Sequence, residues 1–352
     1  MTSSNLEKGT IMIPSFNPTR ALLCVAFIGA LSLSAPCHAV PNYPKVNLVS
    51  GYQVDPDWPK KPANIEWKQI AGITVDKQGR VWIANRMDPP VQVYSPEGEF
   101  LFSWGDGVIT GAHYLRFDRE GHVWSADIKR HVVRKFTEDG KLLLTLGTLD
   151  EPGEDETHLN APTDMVVTPA GDVFVTDGYG NNRIVHFGKD GKFVKTWGKM
   201  GVEAGQLSQP HSIAMDSKGL LYVCERNNGR IQVFNQAGES LAQWRNLINP
   251  WGIYINTRDE VFVCGSTPAR WTEKANLGNP PQDQILMKFD TTGRALELWA
   301  FPLVKDGNLE PGHLDWAHGM GIDEAGNVYF GDVNENAPHH RVQKFLRLEK
   351  EQ

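Results

Sequence analysis

From residue 67 onward, short runs in which apolar and polar residues alternate are separated by tight Gly turns. That alternation is the period of a β-strand, and the turns are those of antiparallel hairpins. An Asp-x-x-Gly turn recurs between two such runs. It appears as ITVDKQGRVWIAN (73–85), LRFDREGHVWSAD (115–127), IAMDSKGLLYVCE (213–225) and MGIDEAGNVYFGD (320–332). Looser copies are MVVTPAGDVFVTD (165–177) and IYINTRDEVFVCG (253–265). A third run and a second Gly turn follow each of the first five copies, as in SPEGEF, TEDGKL and NQAGES. Each unit therefore reads as a four-stranded antiparallel meander of about 40 residues, the size of a propeller blade. The pattern predicts an all-β fold, a six-bladed β-propeller over 67–350. The last copy runs out at RVQKFLRLEK, so ring closure calls for a strand from the N-terminal segment 40–66, with VNLVSGYQVD (46–55) the candidate. A parallel β-helix is the competing fold, and the antiparallel turn chemistry and the length of the unit argue against it.

Aligning the copies on the first-turn Asp exposes a candidate site. One register, at the start of the first strand, holds Ala71, His113, Thr163, His211, Trp251 and His318. Alternate blades carry His. Blades of a six-fold ring are about 60° apart and their first strands line the central channel, so three imidazoles converge on the axis at about 120°. Three His with open coordination positions are the ligand set of a catalytic zinc. Three unrelated core histidines are the plainer alternative, which the alternation makes a poor one. Arg86, Arg226 and Tyr179 follow second strands and so belong at one mouth of the channel. Arg binds a carboxylate bidentately, and a Tyr beside a metal can act as a base. Salt bridges to Glu225 or Asp177 are the bland reading of such an Arg. His122 is expected to pack within a strand, and the His339-His340 pair to lie solvated in a loop. Cys224 and Cys264 share a register in adjacent blades, which leaves a disulfide open.

Composition narrows the rest. The net charge is −7 and no long basic run occurs, so no nucleic-acid partner is expected. Near the N-terminus, TRALLCVAFIGALSLSAPCHA reads as a signal peptide cleaved near Ala39, with Met12 a candidate start. Its apolar run is short for a membrane span, so a secreted or periplasmic protein, and a monomer, is expected.

The strings LNAPTDMVVTPAGDVFVTDGYGNNRIVHFGKDGKFVKTWG and GQLSQPHSIAMDSKGLLYVCERNNGRIQVF closely resemble the peptidyl-α-hydroxyglycine α-amidating lyases, NHL-repeat propellers. The resemblance is strongest over 159–234 and looser over 67–346. It implies a zinc held by His113, His211 and His318, a catalytic Tyr179, and active-site Arg226 and Arg86. It also implies cleavage of a carbinolamide N–C bond, giving an amide and glyoxylate from a peptide or small-molecule substrate. Two departures stand out. The family has Met two residues before the third His and Asp directly after it, where this chain has Trp316 and Gly319. That Asp helps to hold a structural calcium ion, so the resemblance leaves calcium open. A propeller hydrolase or lactonase is the competing enzyme, although such sites use acidic ligands. A non-enzymatic NHL binding module is the third reading, and it has no need of convergent His.

Overall fold

The computed structural model describes residues 51–245, 248–266, 284–301, 310–333 and 341–348. The predicted signal peptide, residues 40–50 and the His339-His340 pair lie outside the described residues. Among the described residues are 24 strands and no α-helix, arranged as six four-stranded sheets. The protein is a six-bladed β-propeller. Blade two shows the unit: Ala112–Phe117, Val123–Asp127, Val132–Phe136 and Leu142–Leu146 pair antiparallel in chain order.

The recurring Asp has two local tasks. In blade two its carboxylate accepts the His122 backbone N–H (2.9 Å), closing the turn, and the indole N–H of Trp124 (3.1 Å), anchoring the second strand. Asp76 takes Trp82 Nε1 (2.8 Å), and Asp216 and Asp323 take the hydroxyls of Tyr222 (3.0 Å) and Tyr329 (3.1 Å) in the same way. His122 itself precedes its strand rather than packing within it, and its Nδ1 lies 3.1 Å from Asp118.

Alternating patterns predict one dry and one wet face for each strand. The second strands depart from this: Val81–Asn85, Val123–Asp127, Val173–Asp177, Leu221–Glu225 and Val328–Asp332 are buried throughout. The cause is the ring, in which each blade is covered on both faces by its neighbours. The hydrophobic core accordingly divides into six clusters, each lying between two adjacent blades. Trp82 and Leu115 meet between blades one and two, and Tyr94 and Tyr329 between blades one and six. Blade six takes its outer strand from the N-terminal side: Tyr52–Asp55 runs antiparallel to Val342–Arg347, with Tyr52 opposite Arg347. This pairing covers an edge that would otherwise be exposed.

Candidate metal centre

The three His fall at the starts of the first strands of blades two, four and six, in Ala112–Phe117, Pro210–Met215 and Ala317–Ile322. All three are buried. Their ring centroids form a nearly equilateral triangle with sides of 4.9, 4.8 and 4.7 Å. Each Nδ1 meets a backbone carbonyl of the following blade at the same register: His113 with Thr163 (2.5 Å), His211 with Trp251 (2.5 Å), His318 with Ala71 (2.7 Å). A carbonyl can only accept, so each Nδ1 carries the proton and each Nε2 is left with a bare lone pair. Such a carbonyl partner behind a ring is the usual support of a metal-ligating His.

Burial is the largest factor holding His211 down to about 3, with the Arg226 charge next. His113 and His318 are pushed well below the ordinary His range by burial and by the neighbouring imidazoles. The rings are therefore neutral, which is the ligating form. Yet Nε2 of His211 and Nε2 of His318 stand 3.1 Å apart, lone pair toward lone pair. A cation between them removes that conflict. The spacing suits a tetrahedral site with metal–nitrogen bonds of about 2.0–2.1 Å, whose nitrogens lie roughly 3.3 Å apart.

Tyr179 reaches the same point. Its hydroxyl is 3.0 Å from His113 Nε2 and 2.9 Å from His211 Nε2. The loop that presents it is clamped by Asp177, whose carboxylate accepts the Asn160 backbone N–H (2.8 Å), Asn181 Nδ2 (2.7 Å) and Arg183 Nε (2.9 Å). Gly178 allows the close approach: a Cβ there would stand 1.8 Å from the Pro210 carbonyl oxygen in blade four.

The two Arg differ. Arg86 donates from Nε to the Ala112 carbonyl (3.2 Å) and from Nη1 to Gln69 Oε1 (2.7 Å). Arg226, buried, lies against two indoles, its guanidinium carbon 5.3 Å from the Trp251 ring and 5.9 Å from that of Trp316. Arg226 does not form the salt bridge of the bland reading. Glu225 is taken by Arg230 Nε (2.6 Å) and Asp177 by Arg183.

That pairing is a feature the sequence reading missed. A carboxylate ending a second strand binds an Arg of the third strand and caps the loop leading to a first strand. Asp127 joins Arg134 (3.0 Å) to the Gly111 N–H (2.9 Å), and Glu225 joins Arg230 to the Ser208 N–H (3.1 Å). The repeated Asp/Glu-then-Arg order in DIKRHVVR, DGYGNNR and ERNNGR, with the separation varying from string to string, was the available signal. Tyr114 was missed as well, and its hydroxyl bonds the carbonyls of Trp251 (3.0 Å) and His318 (2.9 Å), tying two parts of the triad's support together. Cys224 and Cys264 are both buried free thiols, so the disulfide left open by the sequence is not formed; burial pushes Cys264 up to about 12. At Gly319, a Cβ would stand 2.6 Å from the Ala71 carbonyl oxygen, so the carboxylate that the resemblance associates with calcium has no room.

Residues 159–187 and 207–234 match the NHL repeat. Over 322 residues, 80% of this chain and 34% of the relative, the chain is 31% identical to peptidyl-glycine α-amidating monooxygenase B of Xenopus laevis. It is 26% identical over 361 residues to peptidyl-α-hydroxyglycine α-amidating lyase 1 of Drosophila melanogaster, covering 88% of this chain and 64% of that one. The chain thus spans about a third of the length of the monooxygenase relatives and under two thirds of the lyase. Among solved structures, a gluconolactonase from Xanthomonas campestris matches with a TM-score of 0.57 at 13% identity, covering 80% of this chain and 87% of that one. That likeness shows the propeller fold alone. Together the sequence relatives support an enzyme built on an NHL-repeat propeller.

Proposed function

We propose that this NHL-repeat propeller, with relatives named as amidating lyases, is itself a zinc-dependent lyase. It cleaves the N–C bond of a carbinolamide, releasing an amide and glyoxylate. The observation that carries the reading is the meeting of three buried, bare Nε2 atoms with the Tyr179 hydroxyl, which lies within hydrogen-bond distance of two of them. When bound by His113, His211 and His318, a divalent ion supplies Lewis-acid polarisation of substrate oxygen. The chain's own residues do the rest. The Tyr179 oxygen, entering the cycle as its phenolate, takes the proton of the carbinol hydroxyl. The O–H electron pair becomes the new carbonyl bond while the C–N pair leaves with nitrogen. Tyr179 then returns the proton to that nitrogen, so one carbinolamide yields one amide and one aldehyde acid, and no water is consumed. Arg226 and Arg86 supply positive charge beside the substrate's carboxylate.

The test is to load the processed protein with zinc and supply benzoyl-α-hydroxyglycine. Glyoxylate and benzamide in equal amounts are expected. Benzoate would mark a hydrolase, and a fully metallated protein releasing no glyoxylate would overturn the reading. The same proposal places the enzyme in the periplasm or outside the cell after removal of residues 1–39. Mass determination of the exported chain checks the cleavage point.

A further inference from the structure

We propose that the indole N–H groups of Trp251 and Trp316 join Arg226 in a seat for the substrate's carboxylate and so set how tightly the acid is held. The inference rests on the lyase reading and adds to it the groups that select the substrate.

Nε1 of Trp251, Nε1 of Trp316 and Nε of Arg226 are all buried, and none has a hydrogen-bond partner among the described residues. Buried donors are almost always paired, so three orphans in one cluster point to an acceptor that arrives with the ligand. They do form one cluster: the two indole rings are 4.5 Å apart at 58°, and the guanidinium contacts both. Contact with ring faces holds an Arg in place without using its N–H groups. Two nearby carboxylates are committed elsewhere, Glu225 to Arg230 and Asp332 to the Trp316 backbone N–H (3.0 Å). The cluster offers the Arg226 charge and a set of donors, the complement of an anion with several acceptor positions. The seat also adjoins the metal centre. The Trp251 carbonyl holds the Nδ1 proton of His211, and the Trp251 ring lies 6.0 Å from that of His318. An acid anchored there presents its α-carbon to the triad. A neutral ester leaves Arg226 unpaired, and polar sites reject ligands that leave their groups unmatched.

The experiment measures calorimetric binding of glycolate and of methyl glycolate to zinc-loaded wild-type protein and to Trp316→Phe. The Phe ring keeps the packing and lacks the N–H. Glycolate affinity should fall about tenfold in Trp316→Phe, the scale of one hydrogen bond to a charged group. Binding of methyl glycolate should not change between the two proteins, and zinc content should stay at one per chain. Unchanged glycolate affinity in Trp316→Phe overturns the seat, as does an equal loss for acid and ester, which would mark a packing role. Should Trp316→Phe not fold, Trp251→Phe carries the same comparison. The lyase reading is judged separately, by glyoxylate release from the wild type. Trp316-dependent glycolate binding in a protein that releases no glyoxylate would keep the seat and discard the reaction.

Discussion

At one register, blades two, four and six differ systematically from blades one, three and five. The first set puts an imidazole at the axis; the second puts Ala71, Thr163 and Trp251 there and contributes a backbone carbonyl to the imidazole of the preceding blade. Imidazoles and the carbonyls that hold them thus alternate around the ring. In the even blades the identity of the side chain decides the chemistry. In the odd blades the position of the main chain does.

The largest effect should come from breaking the even set. His211→Ala removes one of three ligands, and turnover should fall to background with loss of bound metal. The ring should remain, because its cores lie between blades and do not include the ion; elemental analysis and far-ultraviolet circular dichroism check both halves. Full metal retention by this variant would sink the assignment. Next in size is Tyr179→Phe, which keeps the ligands and deletes one hydroxyl. Turnover should drop on the order of 10²-fold or more at full metal occupancy, with KM less affected. Wild-type turnover by a metallated Tyr179→Phe protein would mean that the proton travels by another route.

Two further variants probe the odd set. Gly319→Ala places a methyl against the Ala71 carbonyl, which holds the Nδ1 proton of His318. Displacing that oxygen should weaken zinc by about 10–100-fold, as is usual when a supporting partner of a ligand is lost. Competition with a chromogenic chelator measures it. Thr163→Ala should do least to the metal, because the carbonyl that serves His113 is main chain. Its cost should be in stability, about 1 kcal/mol for the hydroxyl that bonds the Pro210 carbonyl at 2.8 Å, read from a denaturant midpoint. A zinc affinity that fell as far in Thr163→Ala as in Gly319→Ala would erase the distinction between side-chain and main-chain roles.

Much of this was legible along the chain. The Asp-x-x-Gly turns and alternating runs specify hairpins through local geometry, and six copies of one hairpin pair specify a propeller. The His at every second copy was visible once the copies were aligned. The full burial of second strands was not, because alternation reports a strand's own period and says nothing of a neighbour covering its outer face. Nor was the fate of the charged residues. ERNNGR contains two Arg after one Glu, and nothing in the string tells which will take the carboxylate. Folded, Arg230 takes it and Arg226 is left against Trp251 and Trp316.

By itself, then, the sequence determined the repeat, the ring and the alternation of histidines, all consequences of spacing between residues close in the chain. The tertiary structure alone decided which ring nitrogen of each His carries its proton, which Arg is spared a salt bridge, and that Cys224 and Cys264 stay apart as thiols. The proton positions and the thiols depend on one blade meeting another, as His113 meets the Thr163 carbonyl across 50 residues of chain, and the choice of Arg depends on two strands pairing within blade four. A hydrogen bond is decided by tenths of an ångström, and that distance is set by how two blades pack.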